Sequence, residues 1–490
     1  MRVAVGVGLG FAIVFVAVFF GVQWFTRSGV FRVPGVVYFD ESLTEAEKAA
    51  VATVFDDEID LDKDVTITAR STLELGTLQE NEYIYNIYVP VTDFYSLETN
   101  ITVERADDLL RNCTDCGYKM VPVDELDFQK KLLSVNGRYY LDDFKAGAIF
   151  RIIRFDSEKY DEEIAPLVAK LPREEFPEAE SVLTMAQTGV TAMSRGMKQK
   201  LDAVGDATFF AAEIGGFLSA FDLTHTSNEA SFSEYASAAN ICSDPQFFAT
   251  LEAIGLDIVE LTGNHNLDCG DEAAIQTVDL YREKGIKIVG GGKTATEAAE
   301  PLEIKAKGNG ITMLAFNEST GGATDDNTPG ANRYDEARAA MQIREAKARG
   351  DTVIVDVQYY ECSMYVSDVE DNTCDYANSS AGDQVGFFRH LVDLGADVVV
   401  GTSAHQPQTY ELYQDGAIYY GLGNLFFDQV WWPGTTRSLI LVHYFYHDKL
   451  VQTRIMPTAY DGNMQTRLLD ASTTRWFLDR LQSVKPNQDD

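Results

Sequence analysis

Between residues 182 and 400 the chain repeats one pattern: a short β-branched run, a polar loop, then an amphipathic helical stretch. The runs fall at 182–186, 256–261, 285–289, 311–316, 352–357 and 396–400, with helical patterns over 271–284 and 381–394 among them. Such alternation builds a layered α/β domain, expected here over 181–480. No internal repeat at a fixed period and no low-complexity tract interrupts it.

The chain's 490 residues exceed what one core normally holds, so a further domain is expected. Residues 41–165 supply it, with a helical stretch over 43–55 and extended runs at 65–69 and 83–89. Its segments Val121-Pro-Val-Asp-Glu-Leu126 and Leu132-Leu-Ser-Val-Asn-Gly137 resemble a solute-binding-protein-like domain. Prolines and acids gathered over 166–180 read as the linker between the two. A shorter linker is expected at 28–40 and a frayed tail at 481–490.

Residues 3–25 carry no charge. As a helix they would reach roughly 30 Å, enough to cross a bilayer, with Trp24 and Phe25 at the far interface. No small-residue cleavage site follows Trp24, so an uncleaved signal anchor over 1–27 is expected. The net charge of −36 repels phosphate backbones and argues against a nucleic-acid partner. That acidity and the cysteines favour an ectodomain outside the cell, on a single-pass membrane protein. Six cysteines, Cys113, Cys116, Cys242, Cys269, Cys362 and Cys374, form no repeated zinc-type pair. Proximity suggests the bridges 113–116, 242–269 and 362–374; other connectivities, or inert thiols, stay open.

In layered α/β folds, ligands sit where strands end and loops converge. Here the strand-end loops are rich in polar groups: Ser227-Asn228-Glu229, Thr262-Gly-Asn264-His265 with Asp268, Gln358-Tyr-Tyr-Glu361, and Thr402-Ser403-Ala-His405. Imidazole, carboxylate and amide groups on separate loops suit a divalent cation. They equally suit metal-free acid–base work, with His265 as the proton-transfer group beside Asp268 or Glu229. His225, His390, His443 and His447 read as packed or surface residues.

These loops resemble the motifs of the CapA family of poly-γ-glutamate capsule-synthesis proteins. The resemblance rests on Gly189-Val190, Asn228-Glu229, Gly263-Asn264-His265 with Asp268 and Gly270, Gln358 to Glu361, Gly401 to His405, and Tyr420-Gly-Leu-Gly-Asn424-Leu-Phe-Phe-Asp428. It implies a four-layer α/β/β/α sandwich of the calcineurin-like metallophosphatase fold. Departures from the family pattern are several: Val190 stands where a metal-binding Asp is expected, and Gln358 and Ser403 stand where histidines are. A two-metal phosphoesterase needs those ligands. What survives implies at most one Mg²⁺, Mn²⁺ or Ca²⁺ on Glu229, Asn264, His405 and Gln358. His265, Asp268 and Glu229 become the candidate catalytic residues, and Asn228, Arg195, Glu361, Ser403 and Asn424 the candidate substrate-binding ones.

The resemblance further implies work on an anionic envelope polymer or its precursor, alongside other capsule-synthesis proteins. Hydrolysis or transfer by the cleft, and a decayed site serving as a binding scaffold, both remain compatible with the residues. Trp431 and Trp432 suit a core or rim role, or a stacking surface in the cleft, and Gly290 to Gly292 a phosphate-holding or a merely connecting turn.

Overall fold

The computed structural model describes residues 35–55, 61, 63–112, 117–171, 180–318, 321–322, 324, 327–359, 383–431 and 434–484, with the short strands Val3–Ala4 and Val16–Val18. The chain divides into two compact units, residues 1–126 with 130–179 and residues 127–129 with 180–490. Among the described residues no helix is long and apolar enough to cross a membrane. Most of the apolar stretch expected as a membrane helix lies outside the described residues. Two short pieces of it are described as strands, Val16–Val18 pairing antiparallel with Val37–Phe39.

The first unit is built on a mixed sheet whose central strands run Val65–Glu74, Ala146–Asp156, Glu82–Asp93 and Tyr118–Pro122 in spatial order. Ala146–Asp156 lies between two antiparallel neighbours and is almost wholly buried. The helix Glu45–Ala52 opens on a capping box: Thr44 accepts from the Glu47 N–H, and Glu47 accepts from the Thr44 N–H. The same Glu47 carboxylate is clamped by Arg151, at 2.7 Å from Nε and 2.9 Å from Nη2. Burial alone would raise the Glu47 pKa, but hydrogen bonds from Arg151 and Thr44 outweigh it and hold the carboxyl below its ordinary value. The expected linker over 166–180 begins too early. Leu167 and Leu171 are buried with Val51, Ile67 and Phe155 in the first unit's core, because Pro166, read as part of a break, sits in the first turn of a short helix, Ala165–Val168.

The second unit holds two large sheets. In the first, Lys287–Val289, Ile258–Glu260, Leu223–Asn228 and Leu183–Thr191 run parallel. Arg437–Tyr446 and Lys449–Tyr460 extend it antiparallel. In the second sheet Asn309–Asn317, Thr352–Gln358, Val398–Gly401 and Gly416–Tyr419 are parallel. Period-2 geometry sorts the side chains of Thr352–Gln358. Val353, Val355 and Val357 pack with Ile343 of the helix Glu336–Ala348 and with Phe388 and Leu391 of the helix Gln384–Asp393. Asp356, of opposite parity, reaches the other sheet, where Gln187 donates to it at 2.6 Å.

The layer between the sheets is therefore partly polar. His225, Glu260, Asp356, Gln187 and His443 are all fully buried there. His225 Nε2 lies 3.1 Å from Asp356 Oδ2. His443 contacts Thr453 at 2.9 Å and Gln187 at 3.0 Å through its two ring nitrogens. Burial, with His225 nearby, lowers the His443 pKa to about 3, so the ring is neutral. Burial, and secondarily the Asp356 carboxylate, pushes Glu260 up to about 7, although Thr262 donates to it from both its N–H and its hydroxyl. His225 and His443 were expected to be packed or surface residues; both are packed. His390 is at the surface against Glu336, and His447 stacks on Tyr446.

Two predictions come from this packing. Arg151→Leu leaves the Glu47 carboxylate buried without its partner, and should destabilise the first unit by about 3–5 kcal/mol in urea denaturation. Glu260 has a folded pKa above its unfolded value, so its contribution is fully present at low pH. That contribution is lost as pH rises from about 4.5 through about 7. Glu260→Gln should match the wild type in thermal melts at pH 4 and exceed it at pH 8, by on the order of 1–3 kcal/mol.

Candidate functional site

Every parallel strand of the second unit delivers its last residues to the same end of its sheet, and the polar loops begin there. Asn228 closes Leu223–Asn228 and Glu229 follows it. The Gly263-Asn264-His265 loop follows Ile258–Glu260, Gln358 closes Thr352–Gln358, and Ser403 and His405 follow Val398–Gly401. Asn424 begins Asn424–Phe426, which runs parallel to Leu183–Thr191. Two glycines permit the crowding. A Cβ on Gly189 would stand 2.0 Å from the Gly423 carbonyl oxygen, and one on Gly263 would stand 2.6 Å from Glu229 Cα.

Side chains from both sheets meet at this end. Glu229 is 2% exposed, and its Oε2 lies 3.8 Å from His405 Nε2 without a hydrogen bond. His405 Nδ1 is 2.9 Å from Asn424 Oδ1, and the ring sits 5.1 Å from that of Phe427. Gln358 Nε2 donates to Asn264 Oδ1 and to Ser403 Oγ, both at 3.2 Å. The expected catalytic trio thus divides into two pairs. Glu229 faces His405, while His265 Nδ1 is 2.7 Å from Asp268 Oδ2, with both side chains partly solvent-exposed. An Asp three residues on reaches a His across one turn, which accounts for the pairing.

Several expected substrate-binding residues are committed elsewhere. Asn424 is fully buried; its Nδ2 donates to Thr435 O at 3.0 Å and Gln429 Oε1 at 3.1 Å, so it cannot reach a substrate. Asn228 is also fully buried and donates to Ala230 O. Ser403 is 7% exposed and engaged by Gln358. Arg195, held at a left-handed φ of 49°, pairs with Asp428 at 2.6 Å and lies over the Phe427 ring. Glu361 lies outside the described residues. Gly290 to Gly292 form no phosphate loop: Gly291–Gly292 is a strand paired with Gly330–Ala331. Trp431 is 60% exposed at the end of the Asp428 loop, while Trp432 lies outside the described residues. The buried layer of Gln187, Glu260 and Asp356 escaped sequence reasoning. Its signal was an acid within two apolar runs, Glu260 in 256–261 and Asp356 in 352–357.

Among the described residues no group of three or more His, Cys, Asp or Glu is arranged to hold a metal ion. Val190 is 1% exposed and packs with Ala192, Ala230 and Phe427, an apolar pocket where a second cation would have no ligand. Gln358, expected as a ligand, turns its Nε2 to its neighbours. Glu229 Oε2, buried without a hydrogen bond, is the atom that fits a single cation, with His405 Nε2 3.8 Å from it.

Cys242 and Cys269 form a disulfide. It ties the loop that follows Glu229 to the loop that carries His265 and Asp268. Cys113, Cys116, Cys362 and Cys374 lie outside the described residues. Cys242→Ser with Cys269→Ser should destabilise the second unit by about 2–4 kcal/mol in denaturant titration. The His265 loop should become the first point of proteolytic cleavage in the variant; a wild-type digestion pattern would count against the clamp.

Residues 184–429 match the family described as "Bacterial capsule synthesis protein PGA_cap". The chain is 23% identical over 280 residues to "Capsule biosynthesis protein CapA" of Bacillus anthracis, covering 54% of this chain and 64% of that protein. It is 29% identical over 198 residues to "PGA biosynthesis protein CapA" of Bacillus subtilis (strain 168), covering 40% and 48%. A "Probable polyglutamine synthesis accessory protein" of Mycobacterium tuberculosis is 26% identical over 207 residues, covering 39% and 51%. In each case the chain spans less than two-thirds of the relative's own length. Among solved structures, TT1561 of Thermus thermophilus aligns over 54% of this chain with 12% identity and a TM-score of 0.31. The family match takes in half of the chain, from the first strand of the second unit to the residue after Asp428, and the chain belongs to the PGA_cap family of bacterial capsule synthesis proteins.

Proposed function

We propose that this protein is a membrane-anchored, extracytoplasmic component of capsule assembly, acting in synthesis, export or anchoring of an envelope polymer of the poly-γ-glutamate type. Its second unit is read as a four-layer metallophosphatase-like sandwich that performs hydrolysis or transfer on amide-linked polymer. The carrying observation is the buried Glu229 carboxylate oxygen, without a hydrogen bond, facing the His405 imidazole where both sheets end. The names of the relatives support the polymer class. The apolar stretch 3–25 supports the anchor, and the acidic composition supports the exterior.

In this reading Glu229 and His405 form the inner acid–base pair. Both lie apart from bulk water, so a proton moved there passes to or from a bound group. His265 is the outer proton carrier. Asp268 accepts from its Nδ1–H and so leaves Nε2 to take or give a proton at a leaving amine. The alternative to proton exchange at this pair is a cation: Glu229 and His405, with the Asn264 amide oxygen, would then hold one Mg²⁺, Mn²⁺ or Ca²⁺, which when bound would polarise a substrate oxygen, and His265 alone would carry the proton. A second reading, a scaffold that binds polymer without turning it over, is favoured by Val190 sealing the place of a second ligand set with apolar contacts.

Full-length protein incubated with poly-γ-glutamate should shorten or transfer the polymer, followed by chain length on gels. His265→Ala and His405→Ala should each lower the rate by roughly 100-fold or more while the melting temperature stays near the wild type. Unchanged turnover in both folded variants would defeat the catalytic reading. Binding without turnover in the wild type would leave the scaffold.

A further inference from the structure

Glu229 places a carboxylate oxygen in the interior with no donor to answer it. The residue is 2% exposed, and its Oε2 is buried without a hydrogen bond. Such an oxygen is costly to dehydrate unless a donor or a positive charge meets it. A lysine or arginine would be the ordinary remedy. The loops that leave the strand ends at this pocket supply none: residues 229–243, 261–270, 402–409 and 427–436 contain no Lys or Arg, although the chain has 40 of them. Cations that follow the neighbouring strands are each opposed by an acid, Arg195 by Asp428, Lys293 by Asp279 and Arg333 by Glu318. The cation-free loops add further acids, Glu234 and Asp268. A pocket of this sign repels carboxylates and concentrates positive groups. It keeps out the side chains of an anionic polymer and draws in amines.

We infer that the pocket takes a primary ammonium group, with Glu229 as the specificity-determining residue that accepts its N–H. An ammonium brings three donors on one compact charge, and a single carboxylate with neutral acceptors satisfies it. A divalent ion asks for about six oxygen ligands, and among the described residues no group of three or more His, Cys, Asp or Glu is arranged to hold one. The inference rests on this pocket being the working site, as proposed above, and names what enters it. Two sources carry the chemistry: the amino end of an amide-linked chain, and a small free amine that accepts a transferred group. The carboxylates along the polymer are not what the pocket recognises.

The test is calorimetric titration of the full-length protein in buffer containing EDTA. The ligands are a γ-linked glutamate oligomer with a free amino end, the same oligomer N-acetylated, and butylamine. The free oligomer should bind about 10–100-fold tighter than the acetylated one. Glu229→Gln should remove that difference while the melting temperature stays near the wild type. Butylamine binding as tightly as the free oligomer, or more tightly, makes the ammonium that of a small amine; weaker binding places it at the chain end. Either supports the inference. Equal affinity for the two oligomers with none for butylamine, binding that appears only after Mg²⁺, Mn²⁺ or Ca²⁺ is added, or a preference that persists in folded Glu229→Gln each overturns it. If the glutamine variant does not fold, the three wild-type titrations still decide. Preference for the free amine in a protein that never cleaves or transfers the polymer supports the ammonium site and sinks the catalytic reading alone. Equal turnover of free and acetylated polymer does the reverse.

Discussion

A sheet with both faces covered has only its ends to offer a ligand, and both large sheets of the second unit are in that condition. Thr352–Gln358 is buried at every residue, with helices on one side and the partner sheet on the other. Leu223–Asn228 is likewise buried throughout. Parallel neighbours send their carboxyl ends in one direction, so polar groups that follow them have nowhere else to gather. Glu229, Asn264, Gln358 and His405 are together because the strands carrying them share a direction, not because any of them attracts another strongly.

The inside of the sandwich is less ordinary than its outline. Interiors normally avoid carboxylates and imidazoles, since dehydrating a charge is expensive unless it is neutralised or paired. Here neutralisation is the solution: His443 stays uncharged and Glu260 keeps its proton through much of the acid range. Asp356 is left to accept from Gln187 and approach His225. This layer lies directly behind the pocket: Asp356 precedes Gln358 on one strand, and Glu260 closes the strand whose following loop carries Asn264. The pocket floor is therefore a hydrogen-bonded layer rather than a greasy one.

Much of this was legible from residues alone. The strand runs are where the alternation put them, and the motif loops do converge, because period and loop polarity report directly on what a strand end must do. What stayed hidden depends on partners distant in the chain. Nothing in the Asn424 motif says that its amide faces inward to an imidazole; that follows from Thr435 and Gln429 closing around it. Arg195 reads as an anion binder or half of a structural salt bridge, and which acid it meets, Asp428, depends on a residue far along the chain. The polar interior was invisible because, in a strand buried on both sides, alternation no longer separates inside from outside. The start of the linker was placed too early by Pro166, which opens a helix instead of ending a domain.

The first strand of the second unit does not end a sheet; it lies in the middle of one. Leu183–Thr191 pairs on one side with Leu223–Asn228 and on the other with Arg437–Tyr446. Arg195 and Asp428, which meet beside it, stand 233 positions apart in the chain. During synthesis an apolar strand edge must wait, unpaired, until nearly the whole unit has left the ribosome. Such a chain is slow to complete and sticky while it waits. Its folding is thus bound to the pace of translation, and a shortened product would carry an open seam through its centre.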